Sequence, residues 1–398
     1  MNILHIAHSY YPCLAAGGVV NASYEIGLKQ SKNGNNVHVY TTDSCKERLK
    51  FKQSRYDVNV DGIIVDYFRN LSNKLKNKTL VDTPISAPFR IRKDIKNHDI
   101  MHIHEHRQSL AIISCHYARK HNIPYIVQAH GSVLPFFQKE KLKEIYDKLW
   151  GFNTLYNASK VFALTETEKE QYIKMGVHEE NIEIVPLGIN LEEYANLPKK
   201  GQFRSKQNIQ KDEILLLFIG RIHKIKGLDL LVDGFEELIK TNNEKNIKLA
   251  IVGPDDGFET ELENIIQKKG LSQKIILTGP LYKKEKQEAL VDCDIFVMPS
   301  QYESFTTSGL EAMACEKPLV LTKNNHIHDW VQNNVGLSCD YDKNSLKEAL
   351  EKLINDEQLK EQFGKEGRRL VEEKYNWDVI DNQILSIYKS ILKNNSQS

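Results

Sequence analysis

No run of apolar residues in this chain approaches the length of a membrane span, so a helical integral membrane protein is excluded. A basic leader is also lacking: residues 2–8, which hold two histidines, read as a first strand rather than a signal peptide. Cysteine is scarce. The six (Cys13, Cys45, Cys115, Cys293, Cys315, Cys339) are scattered with no C-x-x-C pair, and a reduced, cytosolic protein is expected. There is no G-x-G-x-x-G fingerprint, which weighs against a dinucleotide-dependent dehydrogenase. Nor is there a surplus of charge. The net is +1 with a pI near 7.6, and neither this nor any motif points to nucleic acid.

What is present is an ordinary soluble composition, 40% hydrophobic and 27% charged, in a chain long enough for two cores. Strand-like and helix-like stretches alternate, the pattern of a parallel α/β sheet. Strands are expected at 2–8, 36–42, 63–68, 99–105, 124–129, 160–164 and 181–186, with helices at 19–33, 107–121, 139–158 and 166–175. After a polar stretch at 195–212, read as a linker, the scheme restarts. Strands follow at 213–219, 247–252, 274–278, 294–298 and 318–322, with helices at 227–241, 257–269, 284–292, 305–315 and 343–356. Only the polar tail 394–398 is of low complexity, and it should fray.

Charge is uneven. Residues 1–200 hold 27 basic and 21 acidic side chains, and 46–96 alone hold 13 and 6. The plain reading is a solvated face. The sharper one is a surface for anionic lipid or a phosphate-bearing acceptor at the inner membrane face.

The most informative segment is Glu303-Ser304-Phe305-Thr306-Thr307-Ser308-Gly309-Leu310-Glu311. Its first carboxylate closes a loop after the strand ending at Met298, and its second sits inside a helix starting near Phe305. Ligands of open α/β sheets bind at the carboxyl ends of the strands, where helix N-termini offer free N–H groups to anions. Carboxylates beside them accept hydrogen bonds from hydroxyls. The segment reads as a site for something both anionic and hydroxyl-rich, such as a nucleotide sugar.

Gly220-Arg221 follows the strand Ile214–Ile219, and Lys226-Gly227 opens the next helix. A lysine there opposes the helix dipole, a conflict that a bound anion would relieve. Gly17-Gly18, between the first strand and first helix, lets backbone approach a phosphate where no Cβ intervenes. His130-Gly131 ends a strand, where an imidazole can meet a substrate hydroxyl, although a lone histidine is more often structural. His102, His104 and His106 alternate along one expected strand and so share a face, which raises a metal site. The Asp-His pair of H-x-H-x-D-H is missing, however. Asp292-Cys293-Asp294 is read as a helix-to-strand turn, not a metal-binding D-x-D.

As an ordered set these residues resemble glycosyltransferase family 4, the group 1 glycosyltransferases of the GT-B fold. The set also includes Val185–Asn190, Ile251–Gly253, Thr278-Gly279 and Tyr375–Trp377. The resemblance implies two Rossmann-like, doubly wound parallel-sheet domains facing each other across a cleft. Residues 1–195 would bind the acceptor, 205–376 the nucleotide-sugar donor, and helix 377–395 would cross back to the first domain. It implies a retaining hexosyl transfer from a UDP- or GDP-sugar to a hydroxyl acceptor in polysaccharide, lipopolysaccharide or glycolipid synthesis, with no cofactor and no obligatory metal; the basic segment 46–96 suggests that the acceptor is lipid-linked. Arg221 and Lys226 would hold the diphosphate, Glu303 the donor sugar, and His130 the reaction centre. Gly17, Gly18, Gly220, Gly253 and the run Phe305, Thr306, Thr307, Ser308, Gly309, Leu310 would line the donor, and Glu311 would accept the ribose hydroxyls. The family often has Gly where Thr306 stands, and Asn324–Asp329 replaces its usual Gly-Gly-x-x-Glu. A nucleotide-sugar epimerase of the same fold, a non-catalytic binder of the same sugar, and a metal hydrolase built on residues 98–106 are the other readings.

Overall fold

A computed structural model describes residues 1–13, 17–45, 48–51, 54–73, 82–135, 139–241 and 246–395. The chain forms two parallel-sheet α/β units, Met1–Leu187 with Trp377–Ser398, and Gly188–Asn376.

In the first unit the sheet runs β3-β4-β2-β1-β5-β6-β7-β8. These strands are β1 Asn2–Ala7, β2 Asn36–Thr42, β3 Val58–Val60, β4 Ile63–Phe68, β5 Ile100–His104, β6 Tyr125–Gln128, β7 Lys160–Ala163 and β8 Ile182–Ile184. All pair in parallel except β3 with β4. The edge strand β3 has only three residues and no buried position, so its sequence carries no apolar run to find. Strand order reverses between β1 and β5, which makes their carboxyl ends the switch point where such sheets bind ligands.

Helix Trp377–Asn395 packs on this unit. Its buried residues Trp377, Ile380, Asp381, Ile384, Leu385, Tyr388 and Ile391 recur at intervals of one or three, an apolar helical stripe with two polar members. Each large apolar side chain buried there contributes about 1.5–3 kcal/mol of transfer free energy. Lys29 pairs with Asp378 at 2.5 Å, and Gln383 Nε2 donates to the Ile184 carbonyl at 2.8 Å.

The second unit holds a six-stranded sheet ordered β11-β10-β9-β12-β13-β14, parallel throughout. Its strands are β9 Ile214–Ile219, β10 Ile247–Val252, β11 Ile275–Gly279, β12 Ile295–Met298, β13 Leu319–Thr322 and β14 Gly336–Cys339. The near-continuous apolar run of β9 reflects burial on both faces. Its switch point lies between β9 and β12.

Several expectations are corrected. The stretch read as a linker is folded: helix Gln202–Lys206 carries a buried Arg204 that pairs with Asp294 at 2.8 Å and donates to three carbonyls. The single helix expected over 139–158 is three pieces, Glu140–Tyr146, a π-turn Asp147–Gly151 and Phe152–Tyr156. The widened turn accommodates Asp147, whose Oδ1 would lie 2.4 Å from a Cβ at Gly151. Helix Glu357–Glu373 was not expected, because Gly364 and Gly367 dilute its pattern. Those glycines let it lie against Glu316 and Met313, at the end of the helix Thr307–Ala314. Finally, Cys13 and Cys45 form a disulfide, with Cα atoms 5.7 Å apart. The reduced state expected for them is therefore corrected. They stand 32 residues apart in sequence, and adjacent strands β1 and β2 deliver them to the same edge.

Candidate functional site

At the second unit's switch point, the backbone is packed too closely for side chains. Gly253 has φ +156°, and a Cβ there would lie 1.7 Å from the Gly220 carbonyl oxygen. Gly227 has φ +65°, and its Cβ would lie 2.0 Å from the Pro299 carbonyl oxygen. These contacts press the loops leaving β9, β10 and β12 together. Gln301 N donates to the Ile225 carbonyl at 2.8 Å and adds a tie between two of them.

Lys226 closes a one-turn 3₁₀ helix, Lys224–Lys226, ahead of the helix Leu228–Thr241. It therefore stands two residues ahead of that helix and is not its opening residue. Its ammonium pairs with the Glu303 carboxylate, the two side chains being 15% and 14% exposed. The local charge conflict read from sequence is thus relieved by a carboxylate of the same unit. Arg221 turns elsewhere, to Asp256, and stays about half exposed. Glu311 pairs with Lys286 at 2.6 Å and with the buried Tyr194, whose hydroxyl is pushed up by burial and by that carboxylate. The two members of the E-x7-E pair thus serve different cations.

The helix bearing Glu311 spans Thr307–Ala314 and is capped by Thr306, whose Oγ1 accepts from Gly309 N at 3.1 Å. Thr306 replaces the glycine common in the family and fills an N-cap role instead. Gly309 makes this possible, since a Cβ there would lie 2.6 Å from the Thr306 methyl. Ser308 Oγ sits 3.2 Å from Thr306 Oγ1, and Thr307 opens the helix. Phe305 and Leu310 are buried, so they hold the helix in place from within. Arg368 anchors its other end through the Ala314 carbonyl at 2.7 Å. The departure at Asn324–Asp329 also touches the site. His326 N donates to the Glu303 carbonyl at 2.8 Å, and Asn325 is fully buried beside it.

In the first unit, His8 pairs with Glu105 at 2.7 Å across the β1/β5 switch point. His130 and Gly131 follow β6 with φ +52° and +86°, a left-handed turn. Gly131 N donates at 2.6 Å to Glu168, a buried carboxyl that also accepts from Leu164 N at 2.6 Å. Burial pushes Glu168 up to about 7 against those two amides. Burial holds His130 down to about 4, so it is neutral at pH 7. Gly17 is the N-cap of helix Gly18–Lys32, and a Cβ at either Gly17 or Gly18 would meet nothing within 4 Å.

The shared face of His102, His104 and His106 is corrected. The strand ends at His104, Glu105 takes φ +66°, and His106 swings to within 3.6 Å of Asp147. Instead, ring nitrogens of His5, His102 and His104 lie within 4.8 Å of one another. They are engaged with neighbours: His5 with His104 at 2.9 Å, and His102 with Tyr388 at 2.7 Å.

The basic segment is partly neutralised from within. Arg48 and Arg55 face Asp43, and Arg90 pairs with Asp57 and Asp66. Lys46, Lys52, Lys74, Lys76 and Lys78 lie outside the described residues. Arg55 and Arg69 line a cavity of about 630 Å³ with exposed Leu71, Ile85 and Phe89. No described helix is long and apolar enough to cross a membrane.

Sequence reasoning missed Lys286, Tyr194, Arg368 and Glu168. Only Glu168 left a readable signal, the capping box Thr165-x-x-Glu168. The others reach the site only through tertiary packing.

Two family models cover most of the chain: Glycosyl transferases group 1 over residues 199–370, and Glycosyltransferase Family 4 over 16–193. An uncharacterized glycosyltransferase of Methanocaldococcus jannaschii is 24% identical, covering 98% of both chains. The capsular polysaccharide biosynthesis glycosyltransferase CapM of Staphylococcus aureus is 27% identical over 60% of this chain and 63% of its own. The solved structure of Anabaena HepE in complex with UDP and glucose superposes with a TM-score of 0.75 at 17% identity, covering 98% of this chain and 100% of that one.

Proposed function

This chain belongs to the group 1 glycosyltransferases of family 4, with the GT-B fold, and on that premise we propose that it is a retaining hexosyltransferase. It would move a sugar from a UDP- or GDP-sugar to a hydroxyl acceptor in cell-surface polysaccharide, lipopolysaccharide or glycolipid assembly. The observation that carries this reading is the Lys226–Glu303 pair at a sheet switch point, one turn from a capped helix N-terminus.

The chemistry asks for a cation where the nucleoside diphosphate leaves and an acceptor of hydrogen bonds where the sugar sits. Lys226 and Glu303 hold each other in place, and their pairing offsets the cost of burying the two charges. When a diphosphate arrives, Lys226 exchanges carboxylate for phosphate, and Glu303 is released to the sugar hydroxyls. Arg221, half exposed, is free to swing from Asp256 to the same phosphates. Two cations and the amides of Thr307 and Ser308 then balance the departing charge, which removes the need for a metal. Glu311 is proposed to receive the ribose hydroxyls, Gly220 and Gly253 to keep the loops beside the donor packed, and Gly17 and Gly18 to serve the phosphates. His130 is proposed to contact the transferred sugar. The acceptor hydroxyl attacks from the leaving-group face and gives its proton to a donor phosphate oxygen, which preserves the anomeric configuration.

A thermal-shift screen across UDP-, GDP-, ADP- and dTDP-sugars tests the donor. A bound nucleotide sugar at 100 times its Kd stabilises by about 2.7 kcal/mol. One class should raise the melting temperature and then support acceptor-dependent product with retained configuration, undiminished by chelator. No shift with any nucleotide sugar, or sugar epimer formed without acceptor, would reject the proposal.

We also propose that the acceptor is lipid-linked and that the first unit meets an anionic membrane. Leu142, Ile145, Leu149 and Trp150 are 40–58% exposed on the stretch 140–151, where three lysines are matched by Glu140, Glu144 and Asp147. These apolar groups would enter the interface, and the basic excess of residues 46–96 would supply the attraction to anionic headgroups. Binding to anionic vesicles should weaken as salt is raised and drop with Leu149→Glu. Equal binding to neutral vesicles, or none to either, would retire the membrane proposal alone.

A further inference from the structure

A row of buried polar side chains crosses the core of the first unit and ends at His130. It starts at Asp381 on the helix Trp377–Asn395, whose Oδ2 accepts from Asn33 Nδ2 at 2.7 Å. The Gln30 amide also faces Asp381 and favours its ionised form, although it falls short of hydrogen-bond geometry. On its other side, Gln30 Oε1 lies 2.8 Å from His5 Nε2. His5 Nδ1 lies 2.9 Å from His104 Nε2, and His104 Nδ1 lies 3.0 Å from His130 Nε2. The rings are stacked, with centroids 5.2 and 5.3 Å apart. Gln30, His5 and His104 are fully buried. Beyond the last link, His130 Nδ1 is shut from solvent and has no hydrogen-bond partner among the described residues.

The direction of this row follows from counting donors. A carboxylate only accepts, so the Gln30 NH₂ belongs on the Asp381 side and Oε1 on the His5 side. His5 must then carry its proton on Nε2, which makes its Nδ1 an acceptor. A neutral imidazole has one N–H, so His104 donates from Nε2 and accepts at Nδ1. His130 in turn donates from Nε2. Its Nδ1 is left with a lone pair.

We propose that Gln30, His5 and His104 are positioning residues: they lock His130 in the Nε2–H tautomer, so that its Nδ1 accepts a hydrogen bond from a sugar hydroxyl. The lock is a property of the unliganded protein. Only its use on a sugar rests on the function proposed above. A neutral histidine without such a neighbour exchanges tautomers, and a fraction of the molecules would present an N–H where an acceptor is needed.

The test uses the whole chain labelled with ¹⁵N-histidine. Long-range ¹H–¹⁵N spectra assign each ring's protonated nitrogen, and His130→Gln identifies the His130 signals. The expected result is Nε2–H for His5, His104 and His130, with His130 Nδ1 unprotonated. A His130 that is Nδ1–H, or averaged between tautomers, overturns the proposal. Gln30→Met keeps the side-chain volume and removes the anchor. It should mix the His130 tautomers and lower kcat about 2- to 10-fold, the worth of one neutral hydrogen bond, with donor KM nearly unchanged. An unmixed His130 in a folded Gln30→Met protein would remove Gln30 from the row. If the tautomer is fixed but His130→Gln transfers sugar normally, the row stands and the sugar contact proposed for His130 falls.

Discussion

Lys226→Ala is expected to lower kcat/KM for the nucleotide sugar by roughly 10- to 150-fold, the worth of one charge-assisted hydrogen bond of about 1.5–3 kcal/mol. The ammonium is the cation held deepest at the second switch point, paired with Glu303, whereas Arg221 is half exposed on Asp256. The substitution also strands the Glu303 carboxylate, which is only 14% exposed. That side effect is separable. Glu303 is itself proposed to serve the sugar, so Glu303→Gln alone is the reference: if the stranded carboxylate caused the loss, K226A/E303Q would match Glu303→Gln. A lysine acting on the leaving diphosphate predicts a further loss in the double variant. Steady-state kinetics on the folded variants decide between them, and unchanged turnover in Lys226→Ala would defeat the assignment.

The largest stability effect is expected at Gly253. Alanine there puts a Cβ 1.7 Å from the Gly220 carbonyl oxygen, at a φ of +156° that side chains rarely adopt. Neither backbone segment can yield easily, since Gly220 N donates to the Val252 carbonyl and Gly253 N to the Gly279 carbonyl, both at 3.0 Å. Backbone strain and overpacking together should cost about 2–5 kcal/mol. For a unit of this size that corresponds to a fall in Tm of roughly 5 °C or more. Gly18→Ala is the matched control, because its Cβ meets nothing within 4 Å and its φ is not positive. A calorimetric scan in which both variants melt like the parent would show that the close approach is not what holds these loops.

The strands of the second unit were legible because a parallel sheet buries both faces, and five of its six strands stand out as apolar runs. The sixth, Gly336–Cys339, is four residues long with a glycine and a partly buried serine among them. The candidate site positions were legible for a different reason. Gly227, Gly253 and Gly309 stand where backbone needs room, and Arg221 falls just past a strand. Their pairings were not legible. Nothing in the order Arg221, Lys226, Glu303, Glu311 says which cation meets which carboxylate, and Lys286 reaches Glu311 at 2.6 Å from a different helix. The disulfide was hidden likewise, since its cysteines become neighbours only once β1 and β2 pair.

Local chemistry therefore determined the alternation of strands and helices, the two-unit α/β plan and the places where a ligand can be met. These depend on side-chain period, glycine and proline, all of which act within a few residues. Tertiary structure alone decided that Lys226 faces a carboxylate, that Arg204 makes a folded element of an apparent linker, and that Asp381, 351 residues beyond Gln30, faces the start of the row leading to His130. Ion pairs and hydrogen bonds are set by distances in space, and those exist only after the sheet order has brought remote segments to one edge.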